Sequence, residues 1–418
     1  MSHPKKAFLG LVNISSQIND LRSGFEKNNC PCYSAALDTG SRLQETAVDE
    51  LISQETTVSV TVPRWLPSFL YYRLRFLFTS TREKRLEKVL RKALRSCNIF
   101  LFMWRTFRDD CSDVILLRNN NKKLIFFTVG SDIYWPEAGN QHFLSLGLQP
   151  TKYSDQYLQT VKIEDKLKYL RHAEKYGDLI FSSPALTQLS LRPYYRSRHL
   201  IPLHRIKRKA VQRKEDPVVL FAPSNDIYKG TEWIEKAIAE LQEEGVKFQY
   251  RLVKDLSYDE ALKLYSDSDI LIGELFYPGG GKQQREALAA GNVVVTCFPD
   301  HFRNGLPDDT PFIHADRFTI RDVLKKVILD HNLRQKMADR GRPFVERVND
   351  PVVVCKEMLE LLETGESAKL IVPDFLRRHY LPSSDKEVAI INEYTDMVSG
   401  CDWYKLHIEP GERAGLIF

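Results

Sequence analysis

Residues 217–223, PVVLFAP, lead through Ser224-Asn225-Asp226-Ile227-Tyr228-Lys229-Gly230 into TEWIEKAIAELQEEG (231–245), and this strand–loop–helix unit decides the fold. The apolar run predicts a buried strand. Trp233, Ile234, Ala237, Ile238 and Leu241 recur at helical spacing, and Gly245 supplies the stop. Downstream, FQYRLV (248–253) reads as a strand, and Ser257 with Glu260 makes a capping box before YDEALKLYSDS. DILIGELF (269–276) reads as a strand, QREALAA (284–290) as a short helix stopped by Gly291, and NVVVTCF (292–298) as a further strand. Strands alternating with helices predict a doubly wound parallel sheet, whose ligands bind at the carboxyl ends of the strands.

The alternation extends back to the amino terminus. An apolar run over residues 6–11, a helical stretch SSQINDLRSGFEKNN (15–29) and a strand CYSAALD (32–38) open a βαβ unit. CNIFLFMW (97–104), KLIFFTVG (123–130) and GDLIFSS (177–183) continue it. The expected organisation is α/β, with two Rossmann-like doubly wound domains over residues 1–205 and 206–350. Residues 351–418 hold the helix PVVVCKEMLELLETG (351–365) and a C-terminal extension that matches no known pattern but is too apolar for a disordered tail.

With 418 residues, 43% of them hydrophobic and 28% charged, the chain can bury sizeable cores and is neither a disulfide miniprotein nor disordered. Its seven cysteines are odd in number and lack a CxxC pair, which argues against a disulfide framework or a zinc site. MSHPKKAFLGLV does not resemble a secretory signal, and no run approaches the roughly 18 apolar residues of a membrane span. A cytoplasmic protein is expected.

Charge divides the chain. Residues 1–215 carry 35 Lys+Arg against 20 Asp+Glu, whereas residues 216–418 carry 25 against 35. A basic first half favours anionic partners. No zinc-finger, RNP or KH pattern supports nucleic acid. The basic excess is densest over residues 64–96, where Trp65, Phe69, Tyr71, Tyr72, Phe76 and Phe78 precede a cationic helix with Leu86, Val89, Leu90 and Leu94 on one face. That segment reads either as an element lying on an anionic membrane surface or as a domain helix with a solvated face. A second basic cluster, RPYYRSRHLIPLHRIKRKAVQRK (192–214), reads as a solvated interdomain hinge.

Two strand-end loops carry the chemistry. Lys229 stands where the loop after PVVLFAP enters a helix, a place suited to an anion. After DILIGELF comes YPGGGKQQREALAAG (277–291), whose three glycines allow a phosphate to approach the backbone and whose Lys282 adds a cation. Glu286, one turn into the helix, suits the two hydroxyls of a ribose.

From VVLFAPSNDIYKG to GGGKQQREALAAGNVVV the sequence resembles the nucleotide-sugar-binding domain of GT-B glycosyltransferases of the retaining family 4 type. The resemblance implies two Rossmann-like domains facing across a cleft, with the helix at 351–365 crossing back to the first. It places Lys229 on the donor diphosphate, the loop Gly280, Gly281, Lys282 and Gln283 on phosphate, and Glu286 on the ribose. Val253, Lys254 and Leu256 fall beside the base, and Ser224, Asn225 and Gly230 complete the nucleotide-sugar site. TVGSDIYW (128–135) is similar to the family's Gly-Ser-Asp segment, which makes Asp132 a catalytic candidate with Lys229. Two positions depart from the pattern. Pro278 and Gly279 stand where the family often has a second glutamate, with Glu274 too early to replace it unless the loop shifts, and Val129 stands where a histidine is common.

The activity implied is sugar transfer, with retention, from a nucleotide diphosphate, UDP being the commoner form, to a glycan or lipid-linked acceptor. No cofactor is expected. Lys229, Lys282 and loop amides can neutralise the departing diphosphate without a metal. Asp267-Ser268-Asp269 is formally a DxD triplet, but it lies at a helix-to-strand junction on the amino side of the strand. His142, His199, His204 and His301 show no ligand spacing. A nucleotide-sugar isomerase or epimerase of the same fold, or a silent nucleotide-sugar-binding subunit, are the competing readings.

Overall fold

The computed structural model of the protein describes residues 5–38, 47–53, 81–130, 132–148, 162–209, 216–223, 226–254, 256–276, 280–303, 305–365, 370–373, 382 and 384–407. The first half is built on strands β1 (Ala7–Leu11), β2 (Cys32–Leu37), β3 (Glu50–Ile52), β4 (Ile99–Met103), β5 (Lys123–Phe127), β6 (Leu179–Ser182) and β7 (Tyr195–Arg196). Its helices are α1 (Gln17–Lys27), α2 (Thr81–Ser96), α3 (Ser112–Asn119), α4 (Pro136–Ser145) and α5 (Ile163–Tyr176). All pairings are parallel, in the order β3-β2-β1-β4-β5-β6-β7, so the order reverses between β1 and β4.

Parallel strands buried on both faces need continuous apolar sequence, and IFLFM of β4 supplies it. Alternation sends Phe8, Phe100, Phe102 and Phe126 to one face, where α2 and α5 cover them. Leu9, Leu101, Ile125 and Phe127 go to the other, under α1.

The second half holds β8 (Val218–Phe221), β9 (Gln249–Leu252), β10 (Ile270–Ile272), β11 (Val293–Thr296) and β12 (Phe312–His314), with α6 (Thr231–Glu243), α7 (Tyr258–Asp267), α8 (Lys282–Ala290), α9 (Ile320–Leu329) and α10 (His331–Asn349). The parallel order β12-β11-β10-β8-β9 reverses beside β8. The capping box stands as expected: the Ser257 side chain accepts from the Glu260 amide, and Glu260 accepts from the Ser257 amide at 2.9 Å. β10 is shorter than the run 269–276 predicts. After Gly273, whose amide still reaches Val295 O at 2.8 Å, the chain leaves the sheet. Leu275 N then donates to Lys229 O at 3.2 Å and Cys297 N to Glu274 O at 2.6 Å.

α11 (Pro351–Thr364) follows α10 and packs on α1, adding Val354, Cys355, Met358 and Leu361 to the core beneath the first sheet. Gly24 permits this approach, because a Cβ there would stand 2.3 Å from Pro351 O and 2.6 Å from Cys355 Sγ. The extension is also folded in part. α12 (Asp385–Asp396) lies against α5 with Ile391 in the first core, and α13 (Asp402–His407) brings Tyr404 to Leu191 and Val398.

Residues 192–202 of the basic segment are not a solvated hinge. Tyr194 and Tyr195 are buried and Leu200 and Ile201 fully so, while Arg192 donates to the carbonyls of Glu174 at 2.9 Å and Gly177 at 2.7 Å. Arg192 thus closes a helix end and Arg196 ends the edge strand β7, which is why the charge run misleads. Residues 210–215 lie outside the described set. The two passages of chain between the halves run side by side: Asn349 Nδ2 donates to His199 O at 2.8 Å, and Ile201 N to Asn349 O at 3.0 Å.

Candidate nucleotide-sugar site

In a doubly wound sheet the reversal of strand order leaves a crevice at the carboxyl ends of the two strands that part. In the second half these are β8 and β10. The loop after β8 forms a helical turn, Asp226–Lys229, that places Lys229 in this crevice, 7% exposed. Its Nζ donates to Glu274 Oε1 at 3.0 Å and to Gln283 Oε1 at 3.2 Å. An ammonium has three donors, and among the described residues two are used.

Glu274 is the residue the sequence reading set aside. β10 ends at Ile272, so Glu274 lies in the turn beyond it, which is fixed by Thr296 Oγ1 donating to Glu274 O at 3.1 Å. Glu274 Oε2 accepts from Gln284 Nε2, and Gln283 Nε2 donates to Ala222 O at 3.0 Å. Consecutive residues at the start of α8 thus hold the lysine's carboxylate and the end of β8.

Glu286 lies one turn after Gln283 on the side of α8 that meets α7. It is 3% exposed, and Tyr258 of α7 donates to its Oε1 at 2.7 Å. Oε2 has no hydrogen-bond partner among the described residues, which leaves one oxygen for a ligand hydroxyl. Burial pushes the Glu286 carboxyl up to about 7, against the opposing pull of Lys282 and the Tyr258 hydroxyl. Burial and the Glu286 charge together push the Tyr258 phenol upward, which keeps it a donor.

Lys282 stands 4.0 Å from Glu286 Oε1 and reaches across to the first half, donating to Ser15 O at 2.6 Å and Asp20 Oδ2 at 3.1 Å. Ser15 and Asp20 follow β1, at the reversal of the first sheet, so Lys282 joins the two crevices. Burial raises the Asp20 carboxyl, and Lys282 holds it back. Tyr258, Asp20 and Gln284 are neighbours in the site that sequence reasoning missed, and no local pattern marks them.

Val253, Lys254 and Leu256 lie after β9, beside the β8 loop. Val253 N donates to Phe221 O at 3.0 Å, and Lys254 Nζ to Asp226 Oδ2 at 2.8 Å. Gly230 caps α6 with φ of 73°, and Gly281 caps α8. Ser224, Asn225, Pro278 and Gly279 lie outside the described residues. Asp132 belongs to the first half. Its Oδ1 accepts from Gly130 N at 2.8 Å and its Oδ2 from Val129 N at 3.1 Å, so the carboxylate braces its own loop. Burial drives it up to about 6 despite these amides.

The DxD triplet is structural. Asp269 Oδ2 accepts from Val218 N at 2.8 Å and its Oδ1 pairs with Lys209 at 2.7 Å, at the amino end of β8 and β10. Among the described residues no cluster of His, Cys, Asp and Glu is arranged to hold a metal ion, and no helix is long and apolar enough to cross a membrane.

No protein-family profile matches this chain, and no curated protein sequence does. Solved structures do. Sucrose-phosphate synthase from Thermosynechococcus elongatus is 12% identical, with a TM-score of 0.54 over 86% of this chain and 98% of that one. HepE of Anabaena in complex with UDP is 11% identical, with a TM-score of 0.51 over 86% of this chain and all of that one, and its complex with UDP and glucose scores 0.50 at 10% identity, over 87% and all. The fold is therefore the two-domain α/β arrangement called GT-B.

Proposed function

We propose that this protein is a retaining glycosyltransferase of the family 4 type. It moves a sugar from a nucleotide diphosphate, UDP by preference, to a glycan or lipid-linked acceptor without a metal ion. One observation carries the reading: Lys229, buried at the strand reversal, is fixed by Glu274 and Gln283 with one donor left over among the described residues. A lysine held in this way is preorganised for the charge that grows on a departing diphosphate, and preorganised cations are the largest single source of such rate enhancement.

The remaining groups divide the work. Glu286 Oε2 accepts a ribose hydroxyl while Tyr258 steadies Oε1, and Gly280 and Gly281 let the backbone approach the phosphates. Asp132 holds the loop 128–135 at the acceptor side in one shape. The solved complex of HepE, a neighbour of the same fold, with UDP supports a nucleotide ligand for this reading. Titration of the full chain with a panel of nucleotide sugars tests it. Binding of at least one, weakened at least tenfold in Lys229→Ala and in Glu286→Gln, is expected; no binding by any overturns the proposal.

For the acceptor we propose an anionic or lipid-linked glycan met at the inner face of a membrane, which makes the protein cytoplasmic and peripheral. A groove of 1320 Å³ runs along α2, lined by Lys84, Lys88, Arg91, Arg95, Arg105 and Arg108 among others. Part of this charge is neutralised within the protein, since Glu87 pairs with Arg91 and Arg108. The aromatic residues 64–80 lie outside the described set.

A further inference from the structure

Helix α4 starts in one core and ends in the other. Its first turn belongs to the first half, where Ala138 is buried with Ile133 and Trp135 packs against the same core. Gly139 lies on Tyr134, since a Cβ there would stand 1.5 Å from the tyrosine hydroxyl oxygen. One turn later Phe143, 2% exposed, is buried in the core of the second half, and Leu146 and Leu148 pack there as the chain leaves the helix. Ten residues make about 15 Å of helix, so α4 reaches from one half to the other as a single rigid element.

What Phe143 meets in the second half is the turn that holds Lys229. Its ring lies 6.1 Å from that of Phe276, edge to face, and Trp233 of α6 packs on Phe276 at 4.9 Å in the same manner. Gly230 lies against Phe276 as well: a Cβ there would stand 3.0 Å from Phe276 Cε2 and 3.1 Å from Leu275 Cβ. Phe276 is therefore fixed by two groups of its own half and by one ring from the other.

Phe276, Leu275 and Glu274 are consecutive. Leu275 N donates to Lys229 O at 3.2 Å, and Glu274 Oε1 accepts from Lys229 Nζ at 3.0 Å, so both the backbone and the ammonium of the lysine are held by this turn. A close-packed interior passes displacement on, and a shift of the Phe276 ring moves the carboxylate that aims the lysine. The other end of α4 begins four residues after Asp132, whose carboxylate braces its own loop. One helix thus joins that loop to the lysine.

We propose that Phe143 is a positioning residue for Lys229: docked on Phe276, it sets the Glu274 turn and so aims the ammonium, and it can do so only while the two halves are together. What the lysine acts on is taken from the nucleotide-sugar reading, on which that part of the inference rests; the packing route from Phe143 to Lys229 does not depend on it.

Hydrogen exchange of the ligand-free full chain, resolved to single amides, tests the route. In Phe143→Ala the amides of Leu275 and Cys297, which bond Lys229 O and Glu274 O, should exchange about tenfold faster or more, while those of β4 and β9 keep the parent rates. Phe143→Leu, which refills most of the space, should return both towards the parent. UDP binding tests the effect on the lysine. Phe143→Ala should weaken it about threefold to tenfold alone and by less than about twofold in the Lys229→Ala background, whereas a merely structural loss would carry over in full. Unchanged Leu275 exchange, or acceleration spread evenly over both halves, overturns the proposal, and so do effects on UDP affinity that multiply. A parent that ignores UDP removes the nucleotide-sugar reading, and the exchange experiment then decides the packing route by itself.

Discussion

Lys282 and Asp20, 262 positions apart in the chain, meet at 3.1 Å and tie the reversal point of one sheet to that of the other. Both side chains are about nine-tenths buried, so the pair is screened little by solvent. Breaking it from one side leaves the other charge unpaired. Lys282→Met should lower unfolding free energy by about 3–5 kcal/mol. Asp20→Asn in the same background should recover part of that loss, and urea denaturation of the four-member cycle measures the coupling.

Glu286 predicts how stability varies with pH. Its folded-state pKa is raised from 4.5 to about 7, so the native protein holds a proton that the unfolded chain has released. Stability should therefore fall as pH rises from about 4.5 to about 7, and Asp20, also raised, acts in the same direction. Glu286→Gln should flatten that part of the profile. Nucleotide affinity should move oppositely, strengthening as the carboxylate forms. A Glu286→Gln profile as steep as the parent's would assign the titration elsewhere.

Lys229→Ala should lower turnover by about 10²- to 10³-fold, the loss typical of removing one preorganised donor to a developing charge. Lys229→Arg should not restore it, because a planar fork does not fit between Glu274 and Gln283 as a compact ammonium does. Single-turnover rates with a donor that the parent binds give the comparison.

Gly24 is the contact point of α1 and α11. Gly24→Val should destabilise by about 3 kcal/mol or more, since the added carbons meet the Pro351 carbonyl in a close-packed layer. Calorimetry of the full chain reads this directly, and a variant that melts with the parent would contradict the packing described.

The doubly wound halves were legible because short, β-former-rich apolar runs such as IFLFM and VVVT alternate with helical patterns, and the Ser257–Glu260 cap marks the start of its helix. Lys229 and Glu286 were legible from their places after strand ends. What the sequence could not show was range. Asp20 has no local pattern that points to Lys282, and Tyr258 meets Glu286 only because α7 and α8 pack. Glu274 was set aside because it lies earlier than the second glutamate of the resembled pattern, and an apolar run gives no sign of where the β10 ladder stops. In the segment 192–214 the arginines were counted as charge, whereas Arg192 closes a helix end and Arg196 ends an edge strand.

The pairing of Asn349 with His199 and Ile201 has a mechanical consequence. The lobes are linked by two adjacent cords stitched to each other, a connection expected to permit a swing about a shared spine and to resist twisting. A single protease cut in either cord should leave the lobes attached and their swing intact, and only severing both should set them apart.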